Sequence, residues 1–238
     1  MRGPGDLVGA FRRRRAARSL PDGPFRRFLE APQPSDRMPL DEVRLLAVDM
    51  ETTGLDPRRD RVLSVGFVPV DGDRIVLGGA GSTLVRPPSQ GDDDGVGQSA
   101  TVHGLTDDDV AVGSDPAEVL DMVFTALEGR VLLAHFSPIE LDFLGALCRR
   151  VHGTRPSLLA VDTLELHLWV LAGERGRAST VPGHDELRLW AARERYGLPA
   201  VSAHDALADA LACAELYLAQ VAELSERGVR TLGDVRTP

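Results

Sequence analysis

The chain has 238 residues, 43% of them hydrophobic, which is enough for one sizeable core with a short appendage. Its net charge of −9 excludes a surface that coats duplex nucleic acid through basic residues, although a carboxylate-lined site that takes up cations still tolerates a polyanion. Cys148 and Cys213 fall in apolar helical stretches and read as buried thiols. No apolar run approaches the roughly 20 residues that span a bilayer, so no membrane partner and a cytoplasmic location are expected.

Residues 1–40 mix arginines, including the run Arg12 to Arg15, with prolines and the isolated aromatics Phe11, Phe25 and Phe28. No apolar stretch follows that would make a secretory signal, and the segment reads as a basic N-terminal extension, a short helix or mobile arm. A single α/β domain is expected over 41–226 and a C-terminal tail over 227–238. The domain opens with RLLAVDM, a short apolar run ending in charge, as in a buried strand. RVLSVGFVPV (61–70) predicts a second strand, and Asp71-Gly72 predicts a hairpin into a third over DRIVLGG and STLVRP. Residues 87–100, with the acidic triplet Asp92 to Asp94, read as a solvated loop.

Ser114 or Asp115 followed by Pro116 predicts a helix start, and apolar spacing carries that helix to 129. VLLAH (131–135) predicts a fourth strand, Pro138 opens a helix to about Arg150, and LLAVDT (158–163) predicts a fifth strand leading into another helix. Trp169 and Trp190 fall in helical patterns and are expected in the core. After a loop over 174–184, a long amphipathic helix is expected from about Asp205 to Glu226. Hairpin strands followed by alternating strand and helix indicate an α/β fold with a mixed sheet.

Asp49 and Glu51 stand at i and i+2 near a strand end, so both carboxylates point to one face and suit oxygen-loving cations such as Mg²⁺ or Mn²⁺. Further on come Glu140 in AHFSPIELDFL and His204 with Asp209 in SAHDALADA. Asp142 rivals Glu140 as a carboxylate, but two residues along a helix lie about 200° apart, so only one of the pair can face the same site. Helix geometry alone leaves both of them open. Asp205 reads as a helix cap and Asp162 as a structural residue at a strand–helix junction.

These blocks resemble the DEDDh (DnaQ-like) family of 3′–5′ exonucleases, as in the epsilon subunit of DNA polymerase III. DMETTGL at 49–55 is similar to its D-x-E motif, His204 to Asp209 to its H-x4-D motif, and YGLP (196–199) and HGLT (103–106) to further segments. The resemblance covers roughly 43–224. It implies a ribonuclease H-like fold, a mixed five-stranded sheet flanked by helices. It implies two Mg²⁺ or Mn²⁺ ions held by Asp49, Glu51, Glu140 and Asp209, with His204 as general base. Thr52, Leu55 and His103 would then contact the terminal nucleotide. The substrate would be nucleic acid 3′ ends, and the associate a DNA polymerase or repair partner.

In its second motif the chain departs from that pattern, with Phe136 where asparagine is usual and Glu140 where aspartate is usual. The extra methylene adds about 1.5 Å of reach, which points to altered metal preference rather than loss of activity. An RNA exonuclease of the oligoribonuclease or RNase T kind, or a non-catalytic nucleic-acid-binding module of the same fold, are the alternatives.

Overall fold

The computed structural model describes residues 11, 13–87, 96, 99, 101, 104–175, 183–201 and 204–237. Its centre is a six-stranded mixed sheet made of β1 (Arg44–Thr52), β2 (Val62–Asp71), β3 (Arg74–Ile75), β4 (Gly81–Leu84), β5 (Val131–Ala134) and β6 (Ala160–Asp162). The order is β3-β2-β1-β5-β6, with β4 also on β2. β1 and β2 run antiparallel over nearly their whole length, whereas β1, β5 and β6 are parallel. Six strands replace the expected five because a turn of 3-10 helix at Leu77–Gly79 splits the third into β3 and β4. His103, Asp92 to Asp94 and most of the 87–100 loop lie outside the described residues.

Alternation along β1 assigns its residues to two cores. Leu46, Val48 and Met50 join a cluster with α3 (Pro116–Leu127) and α4 (Pro138–His152). Leu45 and Ala47 join the opposite cluster with α5 (Thr163–Arg175) and α7 (Ala206–Glu226). The sheet is thus covered by helices on both faces, and the period of two places Asp49 and Glu51 on the α7 side.

Local sequence explains the helix starts. α2 (Asp107–Ala111) begins with a Thr106–Asp109 capping box, and α3 with Asp115 as N-cap, Glu118 returning to its backbone and Pro116 in the first turn. Gly153, at φ 69°, ends α4 in the left-handed conformation that glycine adopts without penalty. Asp205 caps α7 by accepting the Ala208 N–H at 2.9 Å.

The flanks of the domain are folded onto it. Residues 13–17 are helical, and α1 (Pro24–Glu30) packs on α3. Phe25 and Phe28 meet the Phe124 ring at centroid separations of 4.5 and 5.1 Å. Arg13 is buried, bonded to the carbonyls of Ser157 and Phe28, and lies 4.6 Å over the Phe28 ring. Burial pulls its pKa down to about 10. The described part of the basic segment is therefore packed onto the domain, because Phe25, Phe28 and Leu29 face inward, whereas Phe11 is 68% exposed. Beyond α7, Val229 and the helix α8 (Leu232–Val235) close the second core.

The expectation for the tryptophans is corrected. Trp169 on α5 and Trp190 on α6 (Leu189–Arg195) are 45% and 53% exposed, because the buried stripes of those helices are carried by Leu166, Val170 and Ala192. Cys148 and Cys213 are buried free thiols.

Candidate active site

At the carboxyl end of β1 the carboxylates of Asp49, Glu51 and Asp209 converge, with one ligand oxygen of each within 4.8 Å of the others. The sequence arranges this in three steps. Strand alternation presents Asp49 and Glu51 on one face. Asp209 sits in the first turn of α7, which crosses that face. Gly66 then admits the helix.

Gly66 is the β2 residue paired with Asp49. A Cβ on it would run into the backbone of Ala206 and Leu207 at the start of α7. Gly66 is a site-building residue that sequence reasoning missed, since nothing local distinguishes it from any strand glycine. Replacing Gly66 by Ala is expected to cost about 1–3 kcal/mol by overpacking, seen as a lower melting temperature, and to reduce turnover as α7 is pushed off the sheet. A variant melting and acting like the native protein would refute the close approach.

Glu140, in the first turn of α4, is 4% exposed and is close enough to Asp49 for the two charges to repel. It lies outside the mutual 4.8 Å group, and its Oε2 is buried with no hydrogen-bond partner among the described residues. Asp142 points the other way and is paired with Arg155 at the surface. His204 precedes the Asp205 cap at φ 70°, exposed, with its backbone N–H donated to Asp209 Oδ2 at 2.8 Å. A cleft of about 370 Å³, lined by Glu51, Ser64, Thr83, Leu105 and His204 among others, opens beside it.

Electrostatics mark the site as short of positive charge. Burial, then repulsion from Asp209, Glu51 and Asp205, holds the Asp49 carboxyl well above the usual carboxylate range. Burial and Asp49 do the same to Glu140. Glu51 and Asp209 are also raised, chiefly by burial, with His204 acting in the opposite sense on both. A buried carboxylate oxygen without a donor and three converging carboxylates fit hard divalent cations, the oxygen-only donor set that Mg²⁺ and Mn²⁺ prefer.

Two neighbouring features hold the site in place. Thr52 Oγ1 donates to Gly54 O at 2.7 Å, and Asp60 accepts from Thr53 Oγ1 and the Asp56 N–H, which tightens the turn and leaves Leu55 77% exposed. Behind α4, the buried Asp162 carboxylate accepts N–H groups from Phe136, Ser137 and Leu164 at 2.9, 2.8 and 2.9 Å. His135 bridges Thr163 Oγ1 and Leu187 O, both at 2.9 Å. Asp162 is thus the structural junction its position suggests, and it fixes the entry to the helix carrying Glu140.

Comparison with known proteins places the fold and the family. The family model described as Exonuclease, of RNase T type, matches residues 46–217. The DNA polymerase III subunit epsilon-like protein of Rhodobacter capsulatus is 33% identical over 207 residues, 84% of this chain and 27% of that protein. The DNA polymerase III subunit epsilon of Treponema pallidum is 27% identical over 202 residues, 83% of this chain and 86% of that one. The chain thus spans about a quarter of the length of the Rhodobacter relative. In fold, E. coli exonuclease I in complex with a dT13 oligonucleotide superposes with a TM-score of 0.64 at 16% identity, over 79% of this chain and 43% of that one. The fold is ribonuclease H-like, and the chain belongs to the exonuclease family.

Proposed function

We propose that the protein is a metal-dependent 3′–5′ exonuclease. It hydrolyses the phosphodiester at the 3′ end of single-stranded nucleic acid, DNA in preference, and releases nucleoside 5′-monophosphates. The observation that carries this reading is the convergence of Asp49, Glu51 and Asp209 within 4.8 Å beside the unpartnered Glu140 oxygen. The preference for DNA is supported by relatives that are named as DNA polymerase III subunits.

In this reading Asp49, Glu51, Glu140 and Asp209 hold two ions, Mg²⁺ or Mn²⁺. When bound, such ions acidify water and stabilise a leaving oxygen. The protein's own part is alignment and proton transfer. His204 stands on the open side of the carboxylates, where its imidazole accepts the proton of the attacking water as the bond to the preceding 3′ oxygen breaks. The Asp209 carboxylate anchors the His204 backbone, and with it the base, through the 2.8 Å hydrogen bond. Thr52, at the end of β1, and Leu55, on the turn that follows, flank the terminal sugar and base; His103, the third residue assigned to this contact, lies outside the described residues. The relatives' names extend the proposal to association with a DNA polymerase or a repair partner.

The test is degradation of matched 5′-labelled DNA and RNA oligonucleotides in Mg²⁺ and in Mn²⁺. A ladder that shortens from the 3′ end, with release of 5′-mononucleotides and suppression by a chelator, is expected, faster on DNA. Absence of mononucleotides in both metals would overturn the function. Activity surviving Asp209→Ala would overturn the site.

A further inference from the structure

Phe136 has no part in the chemistry so far. It is a large apolar side chain, 47% exposed, in the left-handed conformation at φ 70°. A bulky residue adopts that conformation only at a cost, and only where its surroundings fix it. Here they do, because the buried Asp162 carboxylate takes the N–H groups of both Phe136 and Ser137. The backbone there is therefore held by the fold.

Its placement is close to the carboxylates. β5 pairs with β1 as Leu45↔Val131, Leu46↔Leu132 and Ala47↔Leu133. β5 ends at Ala134, so Phe136 follows its carboxyl end and lies at the same end of the sheet as the carboxyl end of the adjacent, parallel β1. Four residues after Phe136, Glu140 repels Asp49 from across the floor of the site. Phe136 thus stands just before the helix that carries Glu140, at the sheet end where Asp49, Glu51 and Asp209 converge. The faces of the bases are neutral and stack on aromatic rings, a grip on the strand that does not depend on the charge of the site.

We propose that Phe136 is a stacking platform for a base of the incoming single strand, the nucleotide on the 5′ side of the terminal one. This rests on the exonuclease reading above. Asparagine, usual at this position in the resemblance, accepts the left-handed backbone more easily but has no ring to offer. In this chain backbone ease is exchanged for an aromatic surface.

The test compares native protein, Phe136→Asn and Phe136→Trp. The substrates are an oligothymidylate, the same strand with an abasic unit next to its 3′ terminal nucleotide, and thymidine 5′-(4-nitrophenyl phosphate), which has no second base. The Asn variant is expected to raise KM on the intact strand by about 5- to 100-fold, one base–aromatic stack, and the Trp variant to restore it. The ratio of kcat/KM between strand and nitrophenyl ester should shift by the same factor, and the abasic strand should erase most of the difference between native and Asn proteins. The loss should be equal at about 50 and 200 mM salt, unlike the loss of a phosphate contact. Because Asn suits the backbone, its melting temperature should not fall. Equal KM for native and Asn proteins on the intact strand, or an equal loss on both substrates, would overturn the stack. Affinity for a fluorescent oligothymidylate in Ca²⁺ reports the same stack without turnover. A native protein that binds with the Phe136 dependence but hydrolyses nothing would therefore sink the exonuclease reading alone, whereas binding indifferent to Phe136 would sink the stack alone.

Discussion

Asp49→Asn is expected to abolish hydrolysis, by about 10³-fold or more, and at the same time to make the metal-free protein more stable. The two effects have one cause. Asp49 lies in a pocket where burial, Asp209 and Glu51 all disfavour its charge, so its folded pKa is well above the value of about 3.9 that it has when unfolded. For a raised carboxyl the native state binds more protons than the unfolded state between those two values. The stability this proton provides is complete below the unfolded pKa and is lost as pH rises through the folded pKa.

At neutral pH the metal-free protein therefore carries an unrelieved cost, and Asn removes it without changing shape. The melting temperature of the Asn variant in chelator should exceed the native one, by about 2–4 °C for each kcal/mol relieved, with the gap widening as pH is raised from about 4 to 8. In millimolar Mn²⁺ the order should reverse, since only the native site gains the stabilisation of a bound ion. Differential scanning calorimetry in chelator and in Mn²⁺ reads both halves. A variant less stable than the native protein in chelator, at every pH, would contradict the charge-repulsion account.

Glu140→Asp should lower turnover by about 100-fold, although aspartate is the usual residue at this position in the resembling sequences. The reason lies in the placement of α4. Asp162 holds its entry through Phe136 and Ser137, and Gly153 ends it, so the helix has little freedom to advance toward the site for a shorter side chain. Shortening the residue withdraws the carboxylate by about 1.5 Å and leaves a void behind a residue now 4% exposed. A displacement of about 1 Å at a reacting centre costs on the order of 100-fold. Mn²⁺, the larger ion, should lose less than Mg²⁺, so the ratio of the two rates should move toward Mn²⁺. Single-turnover rates in the two metals check this. An Asp variant as fast as the native enzyme would show that α4 adjusts freely and that Glu140 is a neutral exchange.

What could be read from the sequence followed range. The alternation of β1 predicted the shared face of Asp49 and Glu51, and the amphipathic pattern from Asp205 predicted the helix that carries Asp209, because both are local periodicities. Asp115, Asp205 and Pro138 announced their helices through capping chemistry that acts within four residues. Gly66 was not legible, since its reason is α7, 140 residues further along the chain. The N-terminal aromatics were not legible either: Phe25 and Phe28 sit in a polar, arginine-rich stretch and acquire their role only where Phe124 meets them. Trp169 and Trp190 show the converse, a helical pattern that identifies a helix without saying which of its large residues face water.

The segments before β1 and after α7 are stitched to each other. Leu40 N–H donates to Arg230 O, Leu232 N–H to Met38 O and Gly233 N–H to Asp36 O, and Arg236 clasps Asp36 through two bonds of 2.6 and 3.1 Å. Thr237 N–H adds a bond to Ala160 at the start of β6. This seam lies at the amino ends of the parallel strands, whereas the carboxylates lie at the carboxyl end of β1. The polypeptide thus enters and leaves the domain at one pole and works at the other. A bead strung in that way can hang from a longer chain, on either side or on both, with its cleft still facing open solvent.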